Sequence, residues 1–106
     1  MAKYMIKARY TADGSKGLLE EGGTKRRTAV AQACKSAGIK LESFYFALGV
    51  DDAFVVVDAP DHATVAAMAL AVSGTGAVEM ETVVLLTPEE LDEAAKKTVK
   101  YRAPGH

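Results

Sequence analysis

Lys7 and Arg9 stand two residues apart, and so do Glu79 and Glu81. In extended chain that spacing puts both members of a pair on one face of a strand. On neighbouring strands the four charges can hold an anionic or keto substrate, or they can pair across the ladder and fix its register. Ion pairs of this kind are commonly structural, so register is the preferred reading. Thr24-Lys-Arg-Arg27, preceded by Gly22-Gly23, opens a helix, where free N–H groups attract anions. Cations at a helix start oppose its dipole, however, and the run matches neither a P-loop nor a dinucleotide fingerprint. It reads as a solvated helix face. Ser73-Gly-Thr-Gly76 follows a helix, which makes it a helix stop with a turn and not a phosphate loop.

The remaining chemistry is dispersed. His62 follows Asp61 and is expected to be exposed, while His106 is the last residue. Two histidines and the single Cys34 have no metal-ligand spacing, so neither a metal nor a cofactor is expected. Cys34 falls on an apolar helical stripe and reads as a small core residue. Asp51, Asp52 and Asp58 are expected around a hairpin, serving its turn. Tyr45 can line a pocket, although strand aromatics are core by default.

These residues are positioned by a regular alternation of elements. Residues 3–11 alternate with period two, Tyr4, Ile6, Ala8 and Tyr10 on one face and Lys3, Met5, Lys7 and Arg9 on the other. After a turn at Asp13-Gly14, Lys16 to Glu21 reads as a short helical turn ended by Gly22-Gly23. Thr24 then caps a helix from Lys25 to Ala37, with Val30, Ala33, Cys34 and Ala37 at helical spacing. Strands follow at Lys40–Leu48 and Ala53–Ala59, joined as a hairpin through Gly49–Asp52. Asp61 caps a helix from His62 to about Ser73, and Val78–Leu86 is the fourth strand. Thr87-Pro-Glu-Glu90 is a capping box with proline at its first helical position, opening a helix to about Lys97. The order β-α-β-β-α-β predicts an α+β ferredoxin-like sandwich with an appended C-terminal helix.

With 106 residues the chain fits one domain. Apolar residues make up 49% and charged residues 25%, which excludes disordered, collagen-like and disulfide-scaffold classes. Thirteen basic and fourteen acidic residues give a net charge of -1, without the basic footprint of a nucleic-acid or anionic-membrane binder. The N-terminus has no continuous apolar core, and Val65–Val72 is too short to cross a bilayer, which takes about 20 residues. One cysteine fits a reducing compartment, and a cytoplasmic location is expected.

The strands after the first do not alternate. Phe44-Tyr45-Phe46, Phe54–Val57 and Val83–Leu86 are apolar on both sides, which predicts burial of both sheet faces. The helix from Ala63 to Ser73 carries no charge on any side and is expected to be buried all round. A lone sandwich would expose more apolar surface than monomers tolerate. A homo-oligomer is expected, most simply a dimer with its sheets face to face.

Glu21-Gly-Gly23 with Arg27 downstream, Leu41–Tyr45, Gly49 to Asp52, Asp58-Ala-Pro-Asp61 and Leu85-Leu-Thr-Pro-Glu89 resemble the GYD domain family of small, mostly bacterial proteins. Gly49 and Asp52 fit the naming motif, and Asp51 stands where its tyrosine would be. The resemblance implies a dimeric α/β barrel of ferredoxin-like subunits; the chain's own pattern divides it into a domain at 1–98, C-terminal helix included, and an irregular C-terminal arm at 99–106. It implies no reaction, because the family has none assigned. One reading is a small-molecule binding or regulatory oligomer. The alternative is a cofactor-independent enzyme, monooxygenase- or isomerase-like, on a small aromatic or enolisable substrate. There Arg9 and Tyr45 would orient a substrate oxygen, with Glu79 as base. A third option is a partner-binding role in which the Val99–His106 arm covers the apolar helix of a neighbouring subunit.

Overall fold

A computed structural model describes the whole chain, Met1–His106. Its elements are β1 (Ala2–Tyr10), α1 (Ala12–Glu21), α2 (Gly23–Ser36), β2 (Lys40–Phe46), β3 (Ala53–Ala59), α3 (His62–Ser73), β4 (Val78–Leu85) and α4 (Pro88–Ala95). The fold is α+β, with one open antiparallel sheet in the order β2-β3-β1-β4. No helix is long and apolar enough to cross a membrane.

Period-two alternation decides which face of the sheet is covered. Tyr4, Ile6 and Ala8 of β1 are buried, as are Val55, Val57 and Ala59 of β3. Cys34 of α2 and Val65 of α3 close over Tyr4, Ile6, Val55, Val57 and Ala59 as the main core, while Ala8 packs with Ala53 and Val78 in a smaller cluster. Full burial of a valine-sized side chain stabilises the fold by about 1.5–3 kcal/mol, so this inner face carries most of the cohesion. Asp61 caps α3, its Oδ1 accepting from the Thr64 N–H at 2.7 Å. Hydrogen bonds from the Thr64 hydroxyl and amide hold the Asp61 carboxyl below its ordinary range. The capping box of α4 is complete: Thr87 Oγ1 accepts from Glu90 N, and Glu90 Oε1 accepts from Thr87 N.

The helices before β2 differ from the expected ones. α1 is a full helix that starts at Ala12, because Thr11 is its N-cap, the hydroxyl oxygen accepting from the Gly14 N–H. Gly14 therefore makes no turn. It is buried in the helix, where a Cβ would collide with the Ala77 carbonyl oxygen. α2 begins two residues earlier than expected, behind Gly22 at φ +86°, a conformation that suits glycine, and without any side-chain cap. β2 stops at Phe46, where the Ala47 N–H donates to the Asp52 carbonyl at 2.7 Å and closes the hairpin. Asp58 lies apart from Asp51 and Asp52, since it ends β3 and they precede it. It accepts instead from Lys3 Nζ at 3.1 Å, beside the Lys3–Glu42 pair at 2.8 Å.

The outer face is bare in the single chain. One row crosses all four strands as Tyr45, Phe54, Lys7 and Glu81, with Tyr45 71% exposed. α3 is also covered on one side only: Val65 is buried while Leu70 is 74% exposed. Its expected burial all round does not occur within one chain, because the C-terminal segment does not fold back over it. Every residue from Pro88 to His106 is exposed. The radius of gyration is 17.0 Å, against about 13 Å for a compact domain of this length. The accessible surface is 7576 Å², roughly a third above the ~5,700 Å² typical of a compact monomer of 11.2 kDa.

Candidate functional site

A cavity of about 150 Å³ lies between the inner sheet face and helices α2 and α3. Fourteen of its fifteen lining residues are hydrophobic, so it favours an apolar occupant. Ile6 and Ala8 form its floor with Phe44 and Val55, while Ala33, Cys34, Met68 and Val72 come from the helices. An apolar cavity of about this volume accommodates a molecule the size of benzene. Arg26 is the single charged residue in its wall.

Tyr10 and Arg26 stand at the mouth, and each is placed by its element. Tyr10 ends β1, on the face that carries Tyr4, Ile6 and Ala8. Its N–H donates to Asp52 Oδ2 at 2.9 Å, while the Asp52 N–H donates to the Ala8 carbonyl at 2.8 Å. Asp52 thus ties the hairpin to the end of β1 through both side chain and backbone. Arg26 lies in the first turn of α2, four residues before Val30, and so heads the inward stripe. Beyond the mouth is a polar cleft of about 370 Å³ under α1. It shares Tyr10, Arg26 and Val78 with the cavity and adds Asp13 and Glu21.

Charge at the mouth is incompletely matched. Arg26 Nε lies 3.2 Å from Glu21 Oε2. The separation satisfies an ion pair, yet Nε is shielded from water and has no hydrogen-bond partner. The N–H is not aimed at that carboxylate. Burial pushes the Tyr10 phenol above its ordinary value; Arg26 opposes the shift, and Asp52 and Glu21 add to it. Burial alone pushes the Cys34 thiol up. Both groups keep their protons at neutral pH, so they serve as donors and not as bases.

The residues singled out by spacing lie elsewhere. Arg9 and Glu79 are cross-strand partners in register, as are Lys7 and Glu81. Lys7 Nζ and Glu81 Oε1 are 3.5 Å apart. Arg9 turns away from Glu79 to Asp51, its Nη1 donating to Oδ1 at 2.9 Å. Tyr45 is on edge strand β2, with β3 and β1 between it and Glu79. One chain therefore does not gather Arg9, Tyr45 and Glu79 into one pocket. Gly49 is exposed in the hairpin loop, whereas Asp52 has the tying role described above. No three histidine, cysteine or carboxylate groups gather as a metal site.

Two features escaped the sequence reading. Local charge groups Arg26 with Lys25 and Arg27 as solvated, although extending the Val30–Cys34 stripe back one turn reaches it. Lys25 and Arg27 are exposed as expected. The second is a contact between elements far apart in the chain. The hydroxyl of buried Tyr4 lies 2.6 Å from His62 Nδ1, with the rings edge to face at 5.6 Å. No local signal predicts it.

A family model described as the GYD domain matches residues 4–95. A comparison with curated proteins gives no match.

Proposed function

The chain belongs to the GYD domain family, and from that premise we propose that it is a homo-oligomeric module that binds a small, largely apolar molecule. The cavity carries the reading: it is sheltered between sheet and helices, apolar on nearly every side, and served by one arginine and one phenol at its mouth. Binding is favoured over proton-abstracting catalysis, because the two weakly acidic groups in the wall, Tyr10 and Cys34, are both held protonated by burial.

The strand order β2-β3-β1-β4 with helices on one face supports a ferredoxin-like subunit. The uncovered outer face, with Phe54, Val56, Val83 and Leu85 half-buried beside Lys7 and Glu81, supports pairing of two copies into a dimeric α/β barrel. In that assembly Arg9, Tyr45 and Glu79 belong to the contact between copies. The large surface of the lone chain supports association as well. The bare side of α3 is the natural seat for the projecting C-terminal arm of a neighbour.

Titration of the full chain with toluene, followed by amide NMR, tests the cavity. Shifts should concentrate at Ala33, Val55 and Met68 and vanish in Ala33→Phe, whose ring fills the space. Shifts that are absent, or that persist in the filled variant, would refute the site.

A further inference from the structure

Resting on the cavity reading, we infer that the ligand carries a carboxylate, which Arg26 receives at the mouth in place of Glu21. Arg26 is the one charged side chain common to the walls of the apolar cavity and the outer cleft. Its Nε–H is shielded from water and makes no aligned hydrogen bond, although the Glu21 carboxylate lies 3.2 Å away as an ion pair. A shielded donor held by an ion pair without hydrogen-bond alignment gains when an incoming acceptor aligns with it. The guanidinium fork also matches a planar carboxylate with two parallel hydrogen bonds, a geometry that Glu21 does not adopt here.

The surroundings fix the rest of the ligand. Tyr10 remains a phenol at the mouth and can donate to the same head group. The compartment behind it admits an apolar body of benzene size, and beyond those two its only other polar side-chain group is the weakly donating Cys34 thiol. Asp13 and Glu21 line the cleft and would attract a cationic head, but that head would lie against Arg26. The structure therefore assigns the site to a small aromatic or similarly compact monocarboxylate, ring inward and carboxylate outward. Glu21 is a competitor for Arg26, released towards the water of the cleft when the ligand arrives.

Three probes that share one ring separate the possibilities: toluene, benzoate and benzylamine, titrated into the full chain and followed by amide NMR. Benzoate should bind about 10- to 100-fold more tightly than toluene, the range of a charge-assisted hydrogen bond. Arg26→Met, at a partly exposed helix position, should erase that advantage, so that benzoate binds no more tightly than toluene does to the same variant. Glu21→Gln should tighten benzoate, because the competing charge is gone and the helix keeps its length. Benzoate no tighter than toluene, an advantage that survives Arg26→Met, or benzylamine as the tightest of the three would overturn the inference while the cavity stands. Binding by none of the rings would overturn the cavity reading itself.

Discussion

Asp52→Ala tests whether the hairpin positions the mouth of the cavity. The side chain makes one structural hydrogen bond, from the Tyr10 N–H at 2.9 Å. The backbone bonds of residue 52 to Ala8 and Ala47 survive the substitution. Only the carboxylate contact is therefore removed. A hydrogen bond to a charged acceptor contributes about 1.5–3 kcal/mol, and the half-buried setting favours about 2 kcal/mol. For a domain of this size a urea slope of about 1 kcal/mol per molar converts that loss to a midpoint lowered by ~2 M. Asp52→Asn keeps an acceptor without the charge and should cost roughly half as much. Hydrogen exchange supplies a local readout, since the Tyr10 amide loses its acceptor in the alanine variant and should exchange faster than those of Tyr4 and Ile6. A Tyr10 amide as protected as in the parent, with an unmoved midpoint, would refute the tying role.

Other consequences follow from single contacts. Gly14→Ala should destabilise by about 1–3 kcal/mol in chemical denaturation, because a Cβ there meets the Ala77 carbonyl; helix propensity alone predicts the opposite sign, a gain of about 1 kcal/mol. Tyr10 and Cys34 both have raised pKa values, so above about pH 8.5 the folded chain holds protons that the unfolded chain has released. Their contribution is complete below that pH and is lost as pH rises through the folded values. Urea midpoints should fall from pH 8 to pH 10.5, and Cys34 should resist thiol reagents in the native state at pH 8.

What could be read in advance was what local chemistry determines. The alternation of β1 identified the buried face, and the spacing of Lys7, Arg9, Glu79 and Glu81 anticipated a register in which they stand opposite one another. Thr87, Pro88 and Glu90 announced a helix start within one hydrogen-bonded turn. Gly14 misled because glycine in a helix is locally unfavourable; only the approach of Ala77, more than sixty residues later, gives the missing side chain its purpose. The same holds for Tyr4 and His62. Arg9 chose Asp51 over its register partner because a long side chain is not bound to the strand opposite. The cavity mouth was hidden by charge: a run of three cations reads as solvent-facing until the helix is turned and Arg26 is seen to share the stripe of Val30 and Cys34.

The joint between β4 and α4 is only Leu86 and Thr87, and Thr87 is extended at φ -73° and ψ 159° before the ring of Pro88 fixes the next φ. So short and stiff a joint works as a pointer. It converts the place of β4 at the sheet edge into a direction for the last nineteen residues. Because extended chain alternates sides at every step, one residue more in that joint would swing the helix to the opposite side of the sheet. Chains with the same sheet and the same cavity would then differ in where their last helix points, through the length of a two-residue connection alone.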